Sequence, residues 1–173
     1  MRARCQTAPD GTVLRWAGLA QPSDPSVADS AAGGSSSYSG GAYTVVGSGT
    51  DIWGTSDEFR FASLPLTGDG TIVARVDAFS AADVWAKAGV MMRETLGAGS
   101  KHASMFLTPS YNGPSFQRRI STGGSSTHTA GGSGTAPAWV RIERVGSRFT
   151  ASHSLNGTSW TVVGSETISM AST

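Results

Sequence analysis

The sequence is poor in cysteine, in charge and in long apolar runs, and each shortage excludes a class of protein. With Cys5 as its single cysteine, the chain cannot form an internal disulfide, and a cysteine-based zinc site is not expected. Only 14% of the residues are charged and the formal net charge is +1, which argues against a general binder of nucleic acid or anionic membrane. No apolar run reaches about 18 residues, so no membrane-spanning helix is predicted.

Catalytic motifs are also missing from the sequence. The chain has no G-x-S-x-G nucleophile elbow and no H-E-x-x-H zinc motif. A glycoside hydrolase requires two carboxylates at a set separation, whereas "RETL" and "SDEF" each supply acids without that spacing. The residues therefore favour a non-catalytic module.

Glycines, aromatic residues and short alternating runs are abundant. The 23 glycines, 5 tryptophans and 6 phenylalanines are typical of a turn-rich all-β domain with a packed core. From "AYTVVGSG" onward, short apolar runs recur about every ten residues, the spacing of a sandwich or barrel. Asn156-Gly157 lies between two such runs and predicts a hairpin with a type I′ turn.

The segment "WAKAGVMMRE" (85–94) fits a helix or a strand. Its alanine, lysine, methionine and glutamate residues are good helix formers, but Gly89 in a helix interior would cost about 1 kcal/mol relative to alanine. Its place among strand candidates favours a strand. One strand face is then predicted to enter the core and the other to point outward; the inward residues are Ala86, Ala88, Val90 and Met92, and the outward residues are Trp85, Lys87, Gly89, Met91 and Arg93.

Seven stretches, in order along the chain, resemble the concanavalin A-like (laminin-G-like) β-sandwich domains of unassigned function found in large secreted bacterial proteins, often beside glycoside hydrolase domains. The resemblance covers residues 22–173 and implies an all-β, two-sheet antiparallel jelly roll. It also implies an accessory, extracellular module within a larger bacterial protein. The stretches are "GSGTDIWGTSDEFRF", "LTGDGTIVARVDAF", "WAKAGVMMRETL", "SKHASMFLTP", "FQRRISTGG", "WVRIERVGSRF" and "SLNGTSWTVVG".

The two ends of the chain raise a question about how the sandwich is completed. Residues 1–21 are weakly patterned and are predicted to be a tail or linker before the domain at 22–173. The resemblance implies two further strands after "ISM" (168–170), but the chain stops at Thr173. The sandwich is therefore expected to lack its last strands and to leave open edges. Three solutions stay open: residues 1–21 take over part of that role, a second copy supplies it in a homodimer, or the domain tolerates the loss.

A polysaccharide-binding groove is predicted on the concave sheet. Aromatic rings suit the apolar faces of sugars, and cationic and amide donors suit their hydroxyls. Three cationic side chains would suit an acidic sugar still better, because arginine pairs a carboxylate bidentately. Gly89 would leave room for a ligand near the backbone. The candidate ligand-binding residues, expected on one exposed face, are Trp53, Trp85, Lys87, Arg93, His102, Gln117 and Arg119.

Other interpretations of these residues stay open. Large aromatic residues are mostly buried, so the tryptophans can equally be core or loop anchors. Arg93 can pair with Asp51 or Glu94 instead of a ligand. A polysaccharide lyase on the same fold would use Arg or Gln to neutralise a uronate and Tyr or His to move the proton. Its candidates are Arg93, His102, Tyr111, Gln117 and Arg119.

A third functional candidate is a structural or protein-interaction module, because one fold serves several uses. No cofactor is predicted. Calcium could bind through loop oxygens of Asp51, Asp57 and Asp69, although the chain has no D-x-D-x-D-G loop. The leading prediction is a non-catalytic carbohydrate-binding module whose partner is a polysaccharide, with neither nucleic acid nor membrane as a partner.

Overall fold

The computed structural model describes residues 2–6, 12–16, 26–29, 34–39, 42–47, 49–78, 83–109 and 112–171. These residues form antiparallel strands joined by turns and loops. The strands are β1 (Arg2–Gln6), β2 (Thr12–Trp16), β3 (Ser26–Asp29), β4 (Gly34–Ser39), β5 (Ala42–Gly47), β6 (Asp51–Trp53), β7 (Ser56–Glu58), β8 (Arg60–Pro65), β9 (Gly70–Ala78), β10 (Ala88–Arg93), β11 (His102–Leu107), β12 (Pro114–Arg119), β13 (Thr127–Ala130), β14 (Ala138–Val145), β15 (Arg148–Ser154) and β16 (Thr161–Thr167).

Two seven-stranded sheets pack face to face, which confirms the predicted all-β sandwich. Sheet A has the order β13-β12-β11-β10-β1-β8-β3, and sheet B has the order β16-β15-β14-β9-β2-β5-β4. A separate two-stranded hairpin is formed by β6 and β7. Alternate residues of the inner strands enter the space between the sheets, as the pleat of a strand requires.

The core between the sheets follows the alternation in the sequence. On β9, Ile72, Ala74 and Val76 are buried while their neighbours are at most half-buried. Burying a side chain of the valine, leucine, isoleucine or methionine class contributes about 1.5–3 kcal/mol. Other core members are Val45, Val90, Met92, Met105, Leu107, Phe116, Val140, Ile142, Phe149 and Ile168.

The segment 85–94 forms a strand over Ala88–Arg93, as its context predicts. Ala88, Val90 and Met92 enter the core between the sheets, so the predicted inward face is confirmed for these residues. The predicted role of Gly89 is wrong. A Cβ atom there would lie 2.1 Å from the carbonyl oxygen of Met105, so the glycine permits the close approach of β11 and not the approach of a ligand.

The amino-terminal segment differs from the tail or linker predicted over residues 1–21. Strand β1 lies between β10 and β8 and pairs antiparallel with both. Strand β2 lies between β9 and β5. Because backbone donors and acceptors inside a sheet must be paired, each sheet gains one interior strand from this segment. This arrangement agrees with the alternative in which residues 1–21 take over part of the role of the further strands that the resemblance implies.

The predicted hairpin around Asn156-Gly157 forms, but its connection is longer than a two-residue turn. Strand β15 ends at Ser154 and β16 begins at Thr161. The side-chain oxygen of Asn156 accepts hydrogen bonds from the backbone nitrogens of Thr158 and Ser159 and organises the loop itself. Gly157 has a φ of 75° and lies against the indole of Trp139, which is half-buried. The loop therefore packs on Trp139, consistent with a structural role for that ring.

Candidate functional site

The outer face of sheet A, opposite the core, brings most of the predicted site residues together. The register aligns Arg93 with His102 and His102 with Arg119 across three strands. The neighbouring row aligns Met91, Ser104 and Gln117. Residues directly opposite one another on neighbouring strands point to the same face. The structure thus places Arg93, His102, Gln117 and Arg119 on one face, as expected.

These residues are buried, contrary to the expected exposed groove. Arg93, His102 and Arg119 have no accessible surface, and Gln117 retains 1%. Lys87 is also buried and pairs with Asp51. The cause is the β6–β7 hairpin, whose Ile52 packs with Phe59, Met91 and Phe106 in a second apolar cluster on this face. The concave surface is therefore filled by the chain itself over much of its area.

Asp57 occupies the place where an acidic ligand would meet the arginines. Its two carboxylate oxygens accept hydrogen bonds from Arg119 Nη2 and Nη1 at 2.6 Å and 2.8 Å. Arg93 Nη1 donates to Asp57 Oδ2 at 3.2 Å. The carboxylate that Arg93 meets is Asp57, while Asp51 and Glu94 pair with Lys87 and Lys101. One buried carboxylate is thus shared by two buried guanidinium groups.

Arg119 also joins several loops through its guanidinium. Its nitrogens donate to backbone carbonyl oxygens in three separate loop segments, in addition to the Asp57 carboxylate. Backbone carbonyls and a carboxylate together satisfy a buried guanidinium, which cannot lose its proton in a protein. Its structural role follows from this set of partners. The carbonyl acceptors belong to Trp53, Gly54, Ala98, Ser100 and Gly124.

His102 lies between the two arginines and is held neutral. Burial, followed by the positive charges of Arg93 and Arg119, lowers the pKa of His102 well below its usual value of 6.5. Its Nδ1 lies 2.9 Å from Ser104 Oγ, and its Nε2 has no hydrogen-bond partner among the described residues. A neutral imidazole avoids adding a third positive charge to this buried row.

The stability of the protein is expected to fall as the pH drops below about 6.5. In that range the unfolded chain takes up a proton at residue 102 that the folded chain does not bind, so the free energy of unfolding declines by up to about 1.4 kcal/mol per pH unit. Above this pH neither state binds the proton, and residue 102 no longer makes the free energy of unfolding depend on pH. Urea unfolding at several pH values between 5 and 7.5 checks this.

A matched variant separates His102 from His153. His102→Gln should flatten the dependence of the free energy of unfolding on pH. Burial also lowers the pKa of His153, so His153→Gln is measured beside it. A His102→Gln protein whose stability falls as steeply as that of the wild type would contradict the assignment.

Two predicted site residues remain accessible, Trp53 and Trp85, with 40% and 41% of their surface exposed. Both rings contact His128 edge-on: the ring centroids lie 5.9 Å apart at 74° for Trp53 and 5.8 Å apart at 89° for Trp85. Trp53, Trp85 and His128 together are called the aromatic cluster below. It lies beside the part of sheet A that the β6–β7 hairpin covers.

Each member of the aromatic cluster is positioned by a different element. The carbonyl oxygen of Trp53 accepts a hydrogen bond from Arg119 Nη2 at 3.2 Å, which fixes the tip of the β6–β7 hairpin. The backbone nitrogen of Trp85 donates to Asp83 Oδ1 at 2.7 Å. His128 is on β13, opposite Gln117 on β12. Sequence patterns did not single out His128, because its short segment fits a loop as well as a weak strand.

Gln117 is the polar side chain next to the aromatic cluster. Its Nε2 donates to Ser115 Oγ at 3.4 Å, and its Oε1 has no hydrogen-bond partner among the described residues. A buried acceptor without a donor costs about 1–3 kcal/mol. A hydroxyl group that reached this oxygen would remove that cost.

The three aspartates considered for calcium have separate partners. Asp51 pairs with Lys87, Asp57 pairs with the two arginines, and Asp69 Oδ1 accepts from the backbone nitrogen of Gly146. Within the described ranges, no group of three or more His, Cys, Asp or Glu side chains could hold a metal ion. Tyr111, the proposed proton carrier of a lyase, lies outside the described residues.

Comparison with known proteins adds no relative. No family model, no curated protein and no solved structure matches the chain. Across the part of the chain that the structure describes, no helix has the length and apolar character needed to cross a membrane.

Proposed function

We propose that the protein is a non-catalytic carbohydrate-binding module that holds a polysaccharide against the aromatic cluster. The observation that carries this proposal is the pair of exposed indoles, Trp53 and Trp85, arranged around a single imidazole. Neighbouring exposed aromatic rings occur more often on binding surfaces than on surfaces that only face solvent. Indole rings offer large, rigid apolar faces on which the C–H faces of a sugar can pack.

The burial of the arginine row supports binding over lyase chemistry. A lyase must bring a guanidinium to the uronate carboxylate and a base to the adjacent proton. Arg93 and Arg119 are instead bound to Asp57, and His102 is inaccessible. On the resemblance described above, we further propose that the module acts outside the cell as part of a larger bacterial protein. Interior strands supplied by the same chain support a monomer over a homodimer.

Replacement of either exposed tryptophan is expected to weaken polysaccharide binding. Trp53→Ala and Trp85→Ala each remove one ring of the aromatic cluster, and we expect each to lower the affinity by about tenfold or more, equivalent to roughly 1.4 kcal/mol. Affinity electrophoresis against a panel of polysaccharides, followed by calorimetry on those that retard the protein, measures the effect.

Trp160→Ala is the matched control for this experiment. The half-buried Trp160 ring lies at the end of the loop before β16, beside the other sheet, where the Arg141 guanidinium stacks on it at 4.2 Å. Its replacement should leave the affinity unchanged. Circular dichroism establishes that all three variants keep the fold. No retardation of the wild type by any polysaccharide would refute the proposed function, and an equal loss in all three variants would refute the assigned surface.

A further inference from the structure

We infer that the aromatic cluster selects an uncharged polysaccharide and discriminates against uronate polymers. This inference rests on the proposed function and assigns the ligand class of the same site. It reverses the expectation drawn from the three cationic candidates, for which an acidic sugar is the better ligand. Which ligand class binds depends on which charges near the site are already paired within the protein.

The cations that would recognise a carboxylate are already paired within the protein. Arg93 and Arg119 share the carboxylate of Asp57, and all three side chains are without accessible surface. Lys87 Nζ is paired with Asp51, and only 4% of its side chain is accessible. A uronate would have to displace an internal carboxylate to reach any of these groups. These three paired cations therefore contribute to folding, and none of the three is open to a ligand.

One exposed charge beside the indoles is negative. Asp83 is exposed and accepts a hydrogen bond from the backbone nitrogen of Trp85, which places its carboxylate next to that residue. Asp51 lies at the start of the strand that ends with Trp53, but its charge is compensated by Lys87. A polymer of uronates brings one carboxylate per residue toward the Asp83 carboxylate. Like charges repel, and the repulsion is strongest at low ionic strength.

The polar groups beside the aromatic cluster match hydroxyls. Gln117 Oε1 is an acceptor without a donor among the described residues, and Gln117 lies directly opposite His128 on the neighbouring strand. A sugar hydroxyl can donate to this oxygen, whereas an ionised carboxylate can only accept. Because Oε1 is shielded from solvent, a neighbouring side chain must shift when a hydroxyl reaches it. The unpaired acceptor thus suits a hydroxyl of either polymer class, and the charge of Asp83 is what favours the uncharged one.

The test compares neutral and uronate polymers under two salt conditions. Xylan, mixed-linkage β-glucan and galactomannan are set against polygalacturonate, alginate and hyaluronan, in affinity electrophoresis and calorimetry. We expect at least one neutral polymer to bind, and we expect the affinity for every uronate polymer to be lower by about tenfold or more. The affinity of the protein for the neutral polymer should change by less than about twofold between low and high salt, because no ion pair with the ligand is formed.

The outcomes separate this inference from the proposed function. Binding of a uronate polymer as tightly as the best neutral polymer would overturn the inference and leave the carbohydrate-binding role intact. Retention of none of the six polymers would overturn both, and in that case the tryptophan variants would show no difference from the wild type.

A charge variant tests the electrostatic basis directly. Asp83→Asn keeps an oxygen acceptor for the Trp85 nitrogen and removes the negative charge. At low salt we expect it to narrow the difference in affinity between neutral and uronate polymers by about threefold or more. Asp69→Asn is the matched control, because Asp69 is an exposed carboxylate that caps the Gly146 nitrogen elsewhere. An unchanged difference in affinity in Asp83→Asn would contradict the role of the Asp83 carboxylate.

Discussion

Asp57→Asn is expected to lower the free energy of unfolding by about 3–5 kcal/mol, because it removes the one carboxylate that two buried guanidinium groups share. Asparagine has nearly the same shape, so the loss reports charge and hydrogen bonding and not a cavity. Arg119 would keep its backbone carbonyl acceptors but lose its bidentate partner, and Arg93 would lose the same carboxylate. Two positive charges would then remain in a space without accessible surface.

Urea denaturation monitored by tryptophan fluorescence measures this loss. Glu166→Gln is the matched control, since Glu166 pairs with Arg118 at 3.4 Å and keeps 35% of its side chain accessible. Partly exposed ion pairs contribute about 0–1 kcal/mol, so the control should lie close to the wild type. Equal stabilities of Asp57→Asn and Glu166→Gln would show that the buried ion cluster does not stabilise the fold.

Removal of residues 2–16 is expected to abolish cooperative folding. The deletion takes one interior strand from each sheet and leaves unpaired backbone groups on β8 and β10 in sheet A and on β5 and β9 in sheet B. Such groups form new edges in the middle of the sheets and expose core side chains. We expect the truncated protein to aggregate or to lose its unfolding transition in circular dichroism and in calorimetry.

A point variant tests the position of β1 without truncation. Arg4→Pro removes a backbone donor from a strand that is paired on both sides, at a cost of about 1–3 kcal/mol from the lost ladder bond alone. Arg4→Thr is the control, because threonine fits a strand and keeps the donor. If residues 2–6 were a tail, both variants would have the stability of the wild type.

The alternation of residues was sufficient to predict the strands and the core face of the central sheet. Ala88, Val90 and Met92 face the core because side chains of a strand alternate between two faces, and this periodicity is present in the sequence. The same periodicity placed Arg93 and Gln117 on the opposite face. The sequence also indicated that this opposite face is covered. Met91 and Phe106 are apolar residues among the polar residues of that face, and apolar residues on both faces are typical of a sheet that is covered on both sides.

What covers that face was decided only by tertiary structure. Asp57 is far from Arg93 and Arg119 in the sequence, and no local pattern records that the β6–β7 hairpin brings its carboxylate between them. Periodicity states which way a side chain points, but exposure depends on what long-range contacts place above it. For this reason the sequence determined an all-β sandwich and the composition of its faces. The tertiary structure decided that Arg93 and Arg119 are internal, that Arg2–Gln6 and Thr12–Trp16 are interior strands, and that His128 contacts two exposed indoles.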